Sequence, residues 1–302
     1  MPIELECPRR ILPEPSPILD TEVTTASPVT RIEPARAWQL INVRELWQAR
    51  ELIVILAWRD VKVRYKQTLL GAAWAVLQPA LMMVVFTIFF GRLAHVATGG
   101  VDYSVFVYAG LLPWTFFATA ITSAGNSVVG SERLITKVYF PRLAVPLASV
   151  GSALVDSAIA CGLLLVLMLC NDILPGVQLL LAPLFLAIML LAAVGVGTLL
   201  AALNVRYRDF RYVIPFLTQF WMFATPTVYM QPDGDASGVV SFFLTLNPMT
   251  SLVAAFRSAV LGEAVGPIAW GQVGVAALLS VLLFLVGCLY FRRVEDSFAD
   301  VI

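Results

Sequence analysis

Asp156 is the residue of this sequence that could most readily take part in chemistry, because it lies near the middle of a long apolar run. A carboxylate at the centre of a bilayer costs about 2.5–3.5 kcal/mol unless it is paired or neutral. It indicates either the proton or cation site of an ion-coupled transporter, or a structural hydrogen bond or ion pair. A single carboxylate without a relay makes a poor proton path, which favours the structural interpretation. Its candidate partners are Thr122, Ser123, Asn126 and Arg257.

Other groups that could carry out chemistry are scarce. The sequence has no Walker-type GxxxxGK[ST], HExxH, DxD or GxSxG motif, and its single histidine, His95, has no Cys, His or acidic cluster beside it. Its four cysteines, with no CxxC, predict neither a disulfide nor a metal site. We therefore expect no catalytic residue, no metal and no cofactor on this chain, and no nucleic-acid partner. Any ATP chemistry belongs to a partner.

The elements that position these residues are predicted to be membrane helices. Apolar residues make up 59% of the 302 positions and charged residues 13%, against roughly 45–50% and about 25% in soluble domains. The sequence predicts an all-α integral membrane protein with six transmembrane helices. We place the spans at 69–91, 105–128, 144–170, 178–203, 211–230 and 267–291.

Three further segments complete the predicted layout. Residues 1–37 are rich in proline and read as a disordered cytoplasmic tail. Residues 38–58 combine an apolar stripe with a charged face, which is typical of an amphipathic helix in the membrane interface. Residues 239–261 are apolar but are broken by Asn247 and Pro248, so we predict a re-entrant helical pair between spans five and six.

The distribution of basic residues fixes the predicted orientation. With the amino terminus inside, all of the 20 Lys and Arg residues except Arg92 and Arg257 fall on the inner side or in the tail. Cytoplasmic loops carry such an excess of Lys and Arg. Both termini are therefore predicted to be cytoplasmic, and 239–261 is predicted not to cross, since a seventh span would move the basic carboxyl-terminal pair outside.

Aromatic side chains are frequent in the predicted spans, most clearly in the fifth. Phe216, Phe220 and Phe223 recur at helical spacing on one stripe, and Pro215 lies beside them. Aromatic residues in spans usually serve packing or interface belts. The alternative is a channel wall on which sugar rings stack, with Trp74 of the first span as a further candidate for the lining.

The loop 129–142 is more apolar than a solvated loop requires. Ser131 can cap a short helix and Pro141 can end it. The segment is either a surface helix that rests on the bilayer or a helix that docks into a groove of a cytoplasmic partner.

Several motifs together resemble one family. Residues 59–68 run into Gly71, Trp74 and Pro79; residues 110–114 read GLLPW; residues 139–142 read YFPR; residues 205–209 read VRYRD; residues 247–249 read NPM; and residues 298–302 end the chain as FADVI. In this order and spacing, they resemble the permease subunits of type-2 ABC exporters, in the branch that exports polysaccharides, O-antigens and teichoic acids. The resemblance covers about residues 40–302, so 38–302 would be one transmembrane domain.

The resemblance implies a half-transporter. Two copies would form the channel, and two copies of a separate nucleotide-binding ATPase, which carries ATP and Mg, would lie below it. By this resemblance, the inner loop 129–142 contacts the ATPase, and a basic segment forms the approach to the first span. The helical pair at 239–261 forms the outer gate. The residues are, for coupling, Glu132, Arg133, Lys137, Val138, Tyr139 and Phe140; for the approach, Arg59, Asp60, Lys62, Arg64 and Tyr65; and for the gate, Asn247, Pro248 and Met249.

The expected function is export of a lipid-linked polysaccharide, such as O-antigen or capsule, across the bacterial cytoplasmic membrane. Within the same class, teichoic acid, another lipid or a drug are alternative substrates. Outside it, the alternatives are an ion-coupled secondary transporter centred on Asp156 and a membrane-bound glycosyltransferase. The absence of acidic metal or sugar-nucleotide residues on the inner loops disfavours the glycosyltransferase.

Overall fold

The computed structural model describes residues 43–66, 71, 73–93, 100–137, 140–174, 176–229, 238–262, 265–295 and 298. The regular structure of these residues is helical throughout, which agrees with the predicted all-α class. The helices are α1 (Val43–Gln48), α2 (Arg50–Lys66), α3 (Ala73–Phe86), α4 (Tyr103–Gly130), α5 (Glu132–Lys137), α6 (Ala144–Cys170), α7 (Ala182–Arg206), α8 (Phe210–Phe223), α9 (Gly238–Leu246), α10 (Pro248–Leu261) and α11 (Trp270–Val294). A π-helical segment (Thr87–Leu93) continues α3, and a 3-10 turn (Val177–Leu181) precedes α7.

Helix α4 occupies the centre of the bundle, where α3, α6, α7, α8 and α10 all pack against it. Asp102 begins the helix, since its carboxylate accepts a hydrogen bond from the Ser104 amide at 2.8 Å. Phe106, Tyr108 and Phe117 are fully buried. The Tyr108 hydroxyl donates to the Ala160 carbonyl of α6 at 3.0 Å. A helix this long and this buried is shielded from lipid by its neighbours.

Helices α7 and α11 cross at two glycines. A Cβ at Gly287 would stand 1.9 Å from the Gly195 carbonyl oxygen, and one at Gly195 would stand 2.4 Å from the Leu283 backbone. Small residues allow membrane helices to approach this closely, so that van der Waals packing holds them together. The crossing fixes α11 against the core of the bundle.

Within the described ranges, five helical segments are long and apolar enough to cross a membrane: 73–93, 103–130, 144–170, 177–206 and 270–294. They correspond to the first four predicted spans and the last. The predicted fifth span, 211–230, contains the 14-residue helix α8, which ends at Phe223 and is about 21 Å long at 1.5 Å per residue. That length falls short of a hydrocarbon core of about 30 Å. The count of six spans therefore stays a prediction.

The predicted re-entrant stretch consists of two helices. Helix α9 ends at Leu246, and α10 begins at Pro248, so the chain breaks at the Asn247-Pro248 pair. Pro248 occupies the first position of α10. A backbone N–H at that position has no hydrogen-bond partner within the helix, so its absence in proline costs the helix no bond. The position of the pair relative to the membrane, like the orientation of the termini, stays a prediction.

The predicted interface helix is divided and extended. Of the range 38–58, residues 38–42 lie outside the described chain, Ala49 separates α1 from α2, and α2 continues to Lys66. The outer face of α2 carries Val54 and Trp58, both exposed, while Leu56 is buried. The predicted tail, 1–37, lies outside the described residues.

Candidate substrate path and coupling surface

Asp156 lies halfway along α6 and forms an ion pair with Arg64 of α2. The Tyr65 hydroxyl donates to its other carboxylate oxygen. Arg64 also donates to Ser123 of α4 at 3.2 Å and to Ser152 of α6 at 3.4 Å. Burial, followed by the hydrogen bond to Asp156, raises the pKa of the Tyr65 phenol above its usual value, so Tyr65 remains a donor at neutral pH. The cluster joins three helices through one balanced pair of charges.

The partners expected for Asp156 were therefore wrong. The sequence suggested Thr122, Ser123 and Asn126 or an ion pair with Arg257, whereas the structure places Arg64 and Tyr65 at the carboxylate. Ser123 belongs to the cluster, but it contacts Arg64.

The other residues of the predicted approach to the first span divide between two faces of α2. Asp60 faces α6, where the Ser149 hydroxyl donates to it at 3.2 Å, and it pairs with Arg59 at 2.9 Å. Lys62 points outward, with its ammonium group 5.7 Å from the centre of the Trp58 ring. The five residues are thus one stretch of helix with an inner polar face and an outer cationic face.

Arg257 is buried in α10 and points at the irregular segment that follows α8. Its guanidinium donates to the Thr227 carbonyl at 2.5 Å and lies 4.0 Å from the centre of the Phe106 ring. The Tyr103 hydroxyl donates to the Val228 carbonyl, in the same segment, at 2.7 Å. Non-helical backbone is tolerated at membrane depth only where protein groups satisfy it. Arg257 and Tyr103 supply those groups.

Gly110 makes room for this arrangement. A Cβ there would lie 2.1 Å from the Arg257 guanidinium and 2.3 Å from the Thr227 carbonyl oxygen. This cluster is not among the sites predicted from the sequence. An arginine in an apolar stretch and the Thr225-Pro226-Thr227 sequence were the available signals.

The predicted gate residues bind the α9–α10 junction to the end of α8. The Asn247 side-chain carbonyl accepts from the Trp221 indole at 2.9 Å and from the Met249 amide at 3.1 Å. Its amide group donates to the Thr225 hydroxyl at 2.9 Å. Pro248 and Met249 are buried. The structure brings these residues together, while their role as a gate stays a prediction.

The predicted channel aromatics of α8 face outward from the subunit. Phe216, Phe220 and Phe223 are 60–71% exposed, and the rings of Phe216 and Phe220 stack with centroids 6.5 Å apart. Ile214 and Met222 pack on the opposite side. The stripe is therefore available to lipid, substrate or a second copy.

Trp74 lies in α3, which packs on α4 and α6, whereas α8 packs on α4 and α7. Trp74 is 49% exposed. The subunit therefore carries its predicted lining residues on two helices that both pack on α4.

Three of the six predicted coupling residues lie on a short charged helix. Helix α5 begins after Ser131 and exposes Glu132, Arg133 and Lys137, while Ile135 is buried. Phe140 packs against the core. Val138 and Tyr139 lie outside the described residues. Beyond this loop, Arg142 donates to the Glu295 carbonyl at the end of α11.

These features define the class of protein: a polytopic helical membrane protein with an ion pair between its helices, an exposed aromatic stripe and a short charged helix. Residues 51–261 match the family described as ABC-2 type transporter. The chain belongs to that family.

Three relatives illustrate the likeness. The O-antigen export system permease protein RfbA of Myxococcus xanthus is 32% identical over 254 residues, which are 84% of this chain and 96% of the relative. A protein of the same name from Klebsiella pneumoniae is 24% identical over 83% of this chain and 95% of its own length. The polysialic acid transport protein KpsM of Escherichia coli is 21% identical over 79% of this chain and 92% of its own length.

Proposed function

We propose that this chain is the channel-forming permease subunit of an ATP-driven exporter that moves a lipid-linked polysaccharide, such as O-antigen or capsule, across the bacterial inner membrane. The observation that carries the proposal is the alignment with the Myxococcus xanthus O-antigen export permease over nearly the full length of that protein. The polysialic acid transport relative supports the wider class of glycan substrates.

The exporter is proposed to be a homodimer with two copies of a cytoplasmic ATPase. This chain supplies no catalysis, and ATP and Mg bind to the partner. The exposed charges of α5, Glu132, Arg133 and Lys137, support a contact with that partner. Closure of the ATPase pair on ATP would press on α5 and open a path between the two permease copies.

In the membrane, we propose six crossings with both termini cytoplasmic. Helix α8 and the buried segment after it provide the fifth crossing, and α9 and α10 re-enter from the outer side. The hydrogen bonds that satisfy the Thr227 and Val228 carbonyls support this proposal, because they allow irregular backbone to lie at membrane depth. The exposed stripe of Phe216, Phe220 and Phe223 would then line the path.

Teichoic acid, another lipid or a drug would fit the same architecture, and the names of the relatives favour a glycan over these substrates. Ion-coupled transport through Asp156 is less well supported, since its carboxylate is bound by Arg64 and Tyr65. If Asp156→Asn changes the pH profile of transport, the result would favour ion-coupled transport over an ATP-driven exporter.

Export in the native bacterium tests the function. Deletion of the gene should remove the polysaccharide from the cell surface and leave lipid-linked glycan inside, and the wild-type gene should restore the surface polymer. The detergent-solubilised protein should co-purify with an ATPase that carries a Walker A motif. Transport by the purified permease without ATP, or surface glycan that persists after deletion, would refute the proposal.

A further inference from the structure

A cavity of about 340 Å³ lies within the subunit, between α2, α3, α4 and α6. Small-ligand sites typically measure about 300–1,000 Å³. Pairs of residues one helical turn apart line it: Trp74 and Gln78 on α3, and Thr115 and Thr119 on α4. Two further aromatic side chains, those of Tyr65 and Phe116, also line it. Three aromatic rings, one amide and two threonine hydroxyls therefore border the same space.

The cavity is electrically balanced. Among the described lining residues, the charged side chains are Arg64 and Asp156, which are paired with each other. A phosphate or a metal ion would need an unpaired charge of opposite sign, and the paired side chains provide none. If the ligand took one member of the pair, the other would be left without its counter-ion. The lining therefore favours a neutral ligand.

The cavity also favours a polar ligand. Gln78 and Thr119 contribute an amide and a hydroxyl to its lining. A polar group that leaves water without gaining a hydrogen-bond partner costs free energy. A lipid acyl chain in the cavity would desolvate both groups and offer neither of them a partner.

We propose that this cavity binds one neutral sugar residue. The C–H face of a sugar ring can lie on the Trp74 indole, while its hydroxyls exchange hydrogen bonds with Gln78 and Thr119. The inference rests on the proposed function for the source of the sugar, a residue of the exported glycan. It places Trp74 at a site inside one subunit, separate from the exposed stripe of α8.

Saturation-transfer NMR on the full-length permease in phospholipid nanodiscs tests the site. The neutral probes are methyl glucoside, methyl rhamnoside and methyl N-acetylglucosaminide; the charged probes are methyl glucuronide and glucosamine. At least one neutral probe should bind at least tenfold more tightly than both charged probes. Thr119→Val, which keeps the side-chain volume, should weaken its binding about fivefold, as expected for one neutral hydrogen bond. Trp74→Leu should weaken it at least as much.

Phe89→Leu is the matched control, because Phe89 is an exposed aromatic residue on the π-helical continuation of α3 and is not part of the described lining. It should bind the probes like the wild type. Should Trp74→Leu fail to give a monodisperse protein, Gln78→Leu takes its place beside Thr119→Val.

Absence of saturation transfer from every neutral probe, relative to empty nanodiscs, would overturn the proposal. So would saturation transfer at the wild-type level in both Trp74→Leu and Thr119→Val, or binding of the charged probes as tight as that of the neutral ones. ATP-driven export is measured separately. Export without probe binding refutes this site alone, and probe binding without export refutes the proposed function alone.

Discussion

Exchanging the charges of Arg64 and Asp156 is the sharpest test of how the subunit is assembled. Either neutralisation, Arg64→Gln or Asp156→Asn, leaves one charge between α2, α4 and α6 without its partner. The exchange Arg64→Asp with Asp156→Arg restores a pair in reverse order. We expect both single variants to be destabilised and the exchange to recover part of the loss.

The burial of the pair sets the magnitude. The Arg64 and Asp156 side chains are 33% and 19% exposed. Exposed pairs contribute about 0–1 kcal/mol, whereas removing one partner of a buried pair costs about 3–5 kcal/mol. An intermediate burial gives about 1–3 kcal/mol for each neutralisation. Recovery by the exchange should be incomplete, since Asp at position 64 is too short to replace the bonds to Ser123 and Ser152.

Thermal unfolding of the full-length protein in detergent, followed by size-exclusion chromatography, measures these effects. The double neutralisation serves as the fourth corner of the cycle. If the two single losses add within about 0.5 kcal/mol, the side chains are energetically independent. That result would refute the ion pair, and with it the electrical balance of the cavity.

Further predictions concern packing, the gate and coupling. Gly110→Ala should destabilise the protein by about 1–3 kcal/mol through overpacking against Arg257, whereas Gly162→Ala, in open space on α6, should be neutral or stabilising; equal unfolding midpoints would contradict this. Asn247→Ala removes a helix cap and its bonds to α8, so the unfolding free energy should fall by about 1–2 kcal/mol; an unchanged midpoint would argue against the cap. Lys137→Glu on α5 should reduce export and co-purification with the ATPase while leaving the unfolding midpoint unchanged, and wild-type co-purification would exclude this residue from the contact.

The sequence predicts the all-helical class, and five of its apolar runs coincide with long apolar helices, because such a run is a local signal. The predicted span 211–230 shows the limit of that signal. Its apolar composition continues past Phe223, but the helix ends there and Thr225 to Val228 are buried as irregular backbone. Their carbonyls bond to Tyr103 and Arg257, which come from distant parts of the chain. Local hydropathy carries no information on such partners.

Asp156 shows the same limit at the site. The free-energy cost of a carboxylate in hydrocarbon identifies Asp156 as unusual, and this conclusion needs only the residue and its sequence neighbours. Its partner stands 92 positions earlier, in the basic segment predicted to follow the interface helix. Helical periodicity says which side of α6 carries the carboxylate, but it does not say that α2 packs there.

The pairing of Arg64 with Asp156 also has a consequence for membrane insertion, because its two residues are synthesised at different times. During synthesis α2 emerges before α6, so the arginine is already at the membrane when the carboxylate arrives. Because either charge alone is costly in hydrocarbon, α6 settles in the bilayer most readily beside a completed α2. A chain that lacks α2 would therefore place Asp156 in the membrane without its counter-ion.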